Sequence, residues 1–197
     1  MKRLFPFVFA LVACVALFGC AHPISMNPNL QAITAPAGTQ AINKQVGYHI
    51  PEALRQLQVI SPGGGGDKVS YFPYRDLEPG FYKVLSETFR DVSKVQDPKN
   101  AAELSSRGIK LLITPEITTT SSSESLFTWP PTMFSVTLVC TVTDMAGQGL
   151  QTIRVVGNGN ATFDEFKGNL SLAAVRASDD ALAKLLKELT ASAELRK

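Results

Sequence analysis

A two-layer α/β sandwich is the fold class this sequence predicts, with a mostly antiparallel sheet and two main amphipathic helices on one of its faces. Three observations predict it. Phe134, Val136, Leu138, Cys140 and Val142 alternate with Ser135, Thr137, Val139, Thr141 and Thr143, the period of a half-buried strand. Phe81, Val84, Leu85, Thr88, Phe89 and Val92 recur at i, i+3, i+4, i+7, i+8 and i+11, one face of a helix. Leu172, Val175, Leu182, Leu185, Leu186 and Leu189 form a second helical stripe, interrupted by Asp179, in a helix from about Leu170 to Ala191. Two such stripes laid on one apolar sheet face bury all three surfaces.

The chain opens on MKRLFPFVFALVACVALFGC, with Lys2 and Arg3 ahead of an uncharged apolar run from Leu4 to Phe18. That run falls short of the ~20 apolar residues of a membrane-spanning helix and matches a secretory signal. Its end, Leu17-Phe18-Gly19-Cys20, resembles the lipobox of bacterial lipoproteins. Leu11-Val12-Ala13-Cys14 also fits the box, but leaves an h-region near the lower length limit, so Cys20 is the expected lipidation site. The resemblance implies a diacylglyceryl group on Cys20, cleavage before it, and attachment to a membrane without spanning it. Ala21 follows the cysteine in place of Asp, which in enteric bacteria implies the outer membrane, facing the periplasm in a Gram-negative source.

Residues 1–19 are thus read as signal peptide, 20–44 as the acylated cysteine and a flexible tether, and 45–197 as one α/β domain. The tether reading rests on Ala, Asn, Thr and Pro without sustained periodicity. Loss of Lys2 and Arg3 leaves 17 basic residues against 17 acidic. Without a basic stripe, nucleic acid is not an expected partner. Cys140 would remain the sole free thiol, so no disulfide within the chain is expected.

Within the domain, Val46, Tyr48 and Ile50 alternate as a strand, and Pro51 to Leu54 reads as a helical first turn. Pro62-Gly63-Gly64-Gly65-Gly66-Asp67 is a loop, and Lys68 to Tyr74 is extended, with Pro73 at an edge or at the strand's end. The Phe81 helix starts near Pro79. Asp97-Pro98 reads as the start of a short helix to Ser106, capped by Gly108. Ile109 to Ile117 is a buried strand, Thr118 to Ser125 a polar loop, and Leu150 to Phe163 the hairpin partner of the 134–142 strand. Gly157-Asn158-Gly159-Asn160 suggests a bulge in that partner.

Few residues invite chemistry. His22 and His49 are the only histidines, no spacing suits zinc, and no G-x-S-x-G elbow is present. The glycine run is not a phosphate loop, because Asp67 stands where the motif needs Gly. It reads as a mobile loop able to close over a partner, with Asp67, Lys68, Tyr71 and Tyr74 as candidate contacts. Asp164/Glu165 and Asp179/Asp180 read as solvated surface, and Cys140 as a small core residue. Leu126-Phe127-Thr128-Trp129-Pro130-Pro131 either folds back on the domain or forms a docking tip, with Phe127 and Trp129 as its contacts.

The order of these elements over roughly residues 45–190 resembles the small envelope lipoproteins of YajG type. It is more loosely similar to the accessory lipoproteins of lipid-trafficking transporters, lipopolysaccharide assembly, penicillin-binding-protein activation and curli secretion. The resemblance implies a non-enzymatic accessory protein of the envelope, without cofactor or metal, that binds another envelope protein. The alternative is a periplasmic binder of a small amphiphile, lipid or glycan held between helices and sheet.

Overall fold

The computed structural model describes residues 21–64, 67–123 and 130–197. Its elements in chain order are β1 (His22–Pro23), β2 (Ile42–Tyr48), α1 (Glu52–Arg55), β3 (Val59–Pro62), β4 (Lys68–Tyr71), α2 (Pro73–Thr88) and β5 (Phe89–Lys94). They continue with α3 (Ala101–Ser106), β6 (Leu111–Ser122), β7 (Met133–Asp144), β8 (Gly149–Asn160), α4 (Phe163–Phe166) and α5 (Leu172–Ala191). Five strands form the main sheet in the order β5-β2-β6-β7-β8, and β1-β4-β3 form a second. β2 runs parallel to both β5 and β6, whereas the long pairings β6–β7 and β7–β8 are antiparallel.

The expected two-layer arrangement is present. α2 and α5 share one face of the main sheet and pack on each other, closely enough that a Cβ at Gly80 would lie 2.5 Å from Leu182 Cδ1. The alternating residues of β7 point Phe134, Val136, Leu138, Cys140 and Val142 into the core beneath these helices. Gly157 and Gly159 of β8 hold regular register. The shift lies instead between Val142 and Thr143, so the expected bulge at 157–160 is absent. The two glycines serve close approach: a Cβ at Gly157 would sit 2.2 Å from the Ala177 carbonyl oxygen of α5. A smaller core of Val95, Leu104 and Ile109, with Leu112 against it, lies under α3. Gly108, at φ +66°, ends α3 as expected.

Three segments differ from their sequence expectation. α2 begins at Pro73, not near Pro79. A proline lacks only an N–H that a first-turn residue has no use for, so Pro73 opens the helix instead of ending a strand. Phe89 and Val92 continue the helical spacing but belong to β5, because pairing with β2 wins there over local periodicity. The polar Thr118–Ser122 stretch stays in β6, paired residue by residue with β7 as far as Ser122↔Met133. The cap of α3 is Asn100, whose side chain accepts from Glu103 N, while Asp97 accepts from Lys99 N in the preceding turn.

The segment read as a tether packs on the domain. Ile24, Met26 and Ile33 are core residues, Met26 with no exposure. Five of its backbone donors are taken up from a distance. Ile24 N donates to Ser70 O (3.0 Å), Ser25 N to Ser171 Oγ (2.9 Å) and Met26 N to buried Asp76 Oδ2 (3.2 Å). Asn29 N donates to Asp179 Oδ1 (2.8 Å) and Ala35 N to Glu87 Oε2 (3.0 Å). Asp179, which breaks the apolar stripe of α5, is therefore a backbone acceptor.

Candidate functional site

Cys20, Phe127 and Trp129 lie outside the described residues. The other four expected contacts divide into two pairs. Asp67 and Lys68 are exposed at the turn joining β3 to β4, with Asp67 Oδ2 3.5 Å from His22 Nε2. They line an open cleft of about 340 Å³ together with Ile60, Ser61, Pro62 and Gly63.

Tyr71 and Tyr74 are not surface contacts. Both are buried, Tyr71 at 1% exposure and Tyr74 at 5%, and their hydroxyls are committed. Tyr71 Oη lies 2.7 Å from Thr119 Oγ1 and 3.3 Å from Ser61 Oγ, and Ser61 Oγ lies 2.7 Å from Ser121 Oγ. Tyr74 Oη accepts from Ile117 N at 3.1 Å. The reason is geometric. β2 pairs with β6 only over Leu111–Ile113, so the same edge of β6 from Pro115 onward needs other partners. Pro115 has no N–H to satisfy, Tyr74 takes up the Ile117 N–H, and Tyr71 and Ser61 bond the side-chain hydroxyls of Thr119 and Ser121.

A charged cluster at the carboxyl ends of β2 and β5 went unread in the sequence. Glu78 of α2, 8% exposed, receives Arg55 Nε at 2.7 Å, Lys94 Nζ at 2.8 Å and Tyr48 Oη at 3.1 Å. Burial pushes the Glu78 carboxyl up, but the Lys94 hydrogen bond and charge, with Arg55 and Tyr48, outweigh it and hold the group below its ordinary range. Burial and the Glu78 charge push the Tyr48 hydroxyl well above its ordinary value. Every member has a partner, so the cluster ties α1, α2, β2 and β5 together as a structural knot. Cys140 is also inert: it has no exposure, and burial pushes its thiol up to about 12. Among the described residues no group of three or more His, Cys, Asp or Glu is placed to hold a metal ion.

The outer edge of the main sheet is treated unevenly. β8 turns the N–H and C=O of its even-numbered residues away from β7. Over its second half α5 covers them with side chains spaced one turn apart. Lys184 Nζ donates to Val156 O (2.8 Å), Asp180 Oδ2 accepts from Asn158 N (2.8 Å) and Arg176 Nη1 donates to Asn160 O (2.7 Å). Asp180 thus does structural work that its reading as solvated surface missed. Among the described residues no side chain caps the outward groups of Thr152 and Arg154 in this way, and both residues are exposed, as is Leu150. That half is a free strand edge.

No family model and no curated protein matches the sequence. Among solved structures the chain is similar to protein XCC0632 from Xanthomonas campestris, of family DUF330, at 9% identity over 88% of this chain and 91% of that one, TM-score 0.49. It is similar to the PelC dodecamer from Paraburkholderia phytofirmans at 14% identity over 81% and 94%, TM-score 0.45. It is similar also to a neuraminyllactose-binding hemagglutinin homolog from Helicobacter pylori at 11% identity over 86% and 94%, TM-score 0.46. At these levels, fold and function have to be argued from the chain's own residues.

The half-covered edge carries a sequence signal that is visible in retrospect. Arg176, Asp180 and Lys184 fall at i, i+4 and i+8 on α5, a charged stripe beside the apolar one. The stripe continues one turn on to exposed Glu188, but among the described residues no hydrogen bond joins Glu188 to the outward groups of Leu150–Arg154.

Proposed function

We propose that this chain is a lipid-anchored, non-enzymatic accessory protein of the bacterial envelope, which binds an extended segment of another envelope protein along the open half of β8. The uneven cover of β8 supports the binding reading. An edge strand with unpaired backbone groups is a template for another strand, and here α5 blocks Val156–Asn160 while leaving Thr152 and Arg154 free. Anchoring rests on the lipobox-like Leu17–Cys20 and the signal-like run before it. The outer membrane's periplasmic face is the expected site.

Thr152→Pro tests the edge. Proline removes one outward N–H and is tolerated on a free edge, so the fold should be retained. In cells, photo-cross-linking from position 154 should yield an adduct with the wild-type edge that disappears in Thr152→Pro. An adduct of equal yield in both would refute strand addition. Palmitate labelling lost in Cys20→Ala but kept in Cys14→Ala checks the anchor. The interior between α5 and the sheet, where an amphiphile would sit in the alternative reading, is filled by side chains and by the close approach at Gly157 and Gly159.

A further inference from the structure

We infer that one pole of the domain rests directly on phospholipid headgroups, with Phe163 and Leu170 at the contact; this builds on the proposed acylation of Cys20. Slack is the deciding quantity. β1 begins at His22, paired with Val69 of β4, and the chain is then held at Ile24, Ser25 and Met26. Only Ala21 separates Cys20 from His22, a Cα span of at most ~7 Å. An acylated Cys20 lies at the membrane surface, so the pole where β1 starts must lie there too.

The topology identifies what else is at that pole. β4 begins at Lys68, level with the start of β1, and the preceding turn carries Asp67. Ser61 and Pro62 of β3 reach Ser121, near the end of β6, which pairs with the first residue of β7, Met133, and that pairs with Asn160, the last of β8. The loop from Ala161 to Ser171 therefore lies at the same pole, and Ser171 is bonded to Ser25.

That loop presents apolar side chains in a held geometry. Phe163 is 61% exposed and Leu170 42%. Thr162 and Glu165 form a capping box around α4, and Arg176 joins Glu165 (2.7 Å) to the Asn160 carbonyl. Phe163 stacks edge-on against Phe166 at 5.2 Å, while Lys167 Nζ lies 4.6 Å over its ring and 2.8 Å from Asp164 Oδ1. An aromatic ring with a lysine beside it suits the headgroup level of a bilayer. With Asp67 and Asp164 near Lys68 and Lys167, the pole carries both signs. Apolar insertion therefore drives the contact, and anionic lipid is not required.

The test uses the full chain, acylated in cells and reconstituted in vesicles of phosphatidylethanolamine and phosphatidylglycerol. Cys140 is buried, so an environment-sensitive fluorophore attaches only to an introduced cysteine. Phe163→Cys and Leu170→Cys report the proposed contact, and Met145→Cys reports the far end of β7, a strand of 12 residues or about 40 Å. With headgroup spin-labelled lipid, positions 163 and 170 should lose about half their emission, and position 145 under about a tenth at that separation. Equal quenching at all positions, or stronger quenching at 145, in protein that floats with the vesicles would overturn the orientation and leave the anchor standing. A wild-type chain that does not float, like Cys20→Ala, would overturn the anchor and the orientation with it.

Discussion

Gly157→Ala is the sharpest test of how the two layers meet. The added Cβ would lie 2.2 Å from the Ala177 carbonyl oxygen, 2.4 Å from the Ala181 nitrogen and 2.7 Å from the Ala181 Cβ. Two of these atoms are helix backbone, which cannot rotate aside, so α5 must lift from the sheet by about 1 Å to restore ordinary contact. The lift loosens Leu182, Leu185 and Leu189, all without exposure, and stretches the Asp180–Asn158 and Lys184–Val156 bonds. Overpacking of a tight core costs about 1–3 kcal/mol, and a rigid neighbour puts this site near the upper end. For a chain of this size about 3 kcal/mol corresponds to a Tm lower by roughly 6–12 °C. The assay is thermal melting followed by circular dichroism. Gly149→Ala, whose Cβ meets nothing within 4 Å, is the control and should melt with the wild type. Adding Ala181→Gly to Gly157→Ala should not restore stability, because backbone atoms remain in the way. A Gly157→Ala protein that melts within about 1 °C of wild type would refute the close-approach argument, since that is the range of neutral surface changes.

Three further outcomes follow from particular contacts. Glu78→Gln should cost about 1–2 kcal/mol at neutral pH by weakening the bonds from Arg55 and Lys94, both of which keep access to solvent. The folded-state pKa of Glu78 lies below its ordinary 4.5, so its ionised form contributes stability above that pH and loses it as pH falls. Melting curves of wild type and Glu78→Gln should therefore converge in acid; a gap that persists unchanged below pH 4.5 would contradict the paired-carboxylate account. Asp76→Ala removes the acceptor of the buried Met26 N–H, and hydrogen exchange should show that amide losing protection while core amides of β7 keep theirs. Cys140 should resist maleimide in the folded protein and react within the unfolding transition, measured by mass spectrometry in increasing urea.

Local signals were enough wherever burial on one face imposed a period. β7 alternates strictly because one side faces α5 and the other faces away, and α5 shows its stripe for the same reason. Gly108 needed only its own backbone conformation to mark the end of α3. Where tertiary partners decide, the chain reads ambiguously. Pro73 suits the first turn of a helix as well as the end of a strand. Phe89 and Val92 fit the helical period and are taken by β2 instead. The segment from Ala21 to Lys44 has no sustained period, and the donors of Ser25, Met26, Asn29 and Ala35 are met by Ser171, Asp76, Asp179 and Glu87 from distant elements. The same limit governs the candidate contacts. Tyr71 and Tyr74 follow a glycine-rich turn and look available, but the Thr119 hydroxyl and the Ile117 N–H of β6 that claim their hydroxyls are brought to them only in the assembled sheet. Asp179, standing in an otherwise apolar stripe, was the one local sign that something distant was to be held.

The stapling of the N-terminal segment also orders events during synthesis. Ser25 waits for Ser171, separated by 146 positions, and Asn29 waits for Asp179, separated by 150. Gln40 accepts from Arg196, separated by 156. Little local can substitute, because the one helical piece of the segment among the described residues is the single 3-10 turn Leu30–Ala32. A ribosome releasing this chain from its N-terminus therefore delivers Met26 long before the pocket that buries it exists. The segment around Ile24 and Met26 is not fully held until Ser171, just ahead of α5, and Asp179, within it, are available. Completion of the fold is thus deferred until α5 has been delivered to the compartment where the domain folds, and a chain stopped short of α5 would display an aggregation-prone leading segment with no partner to receive it.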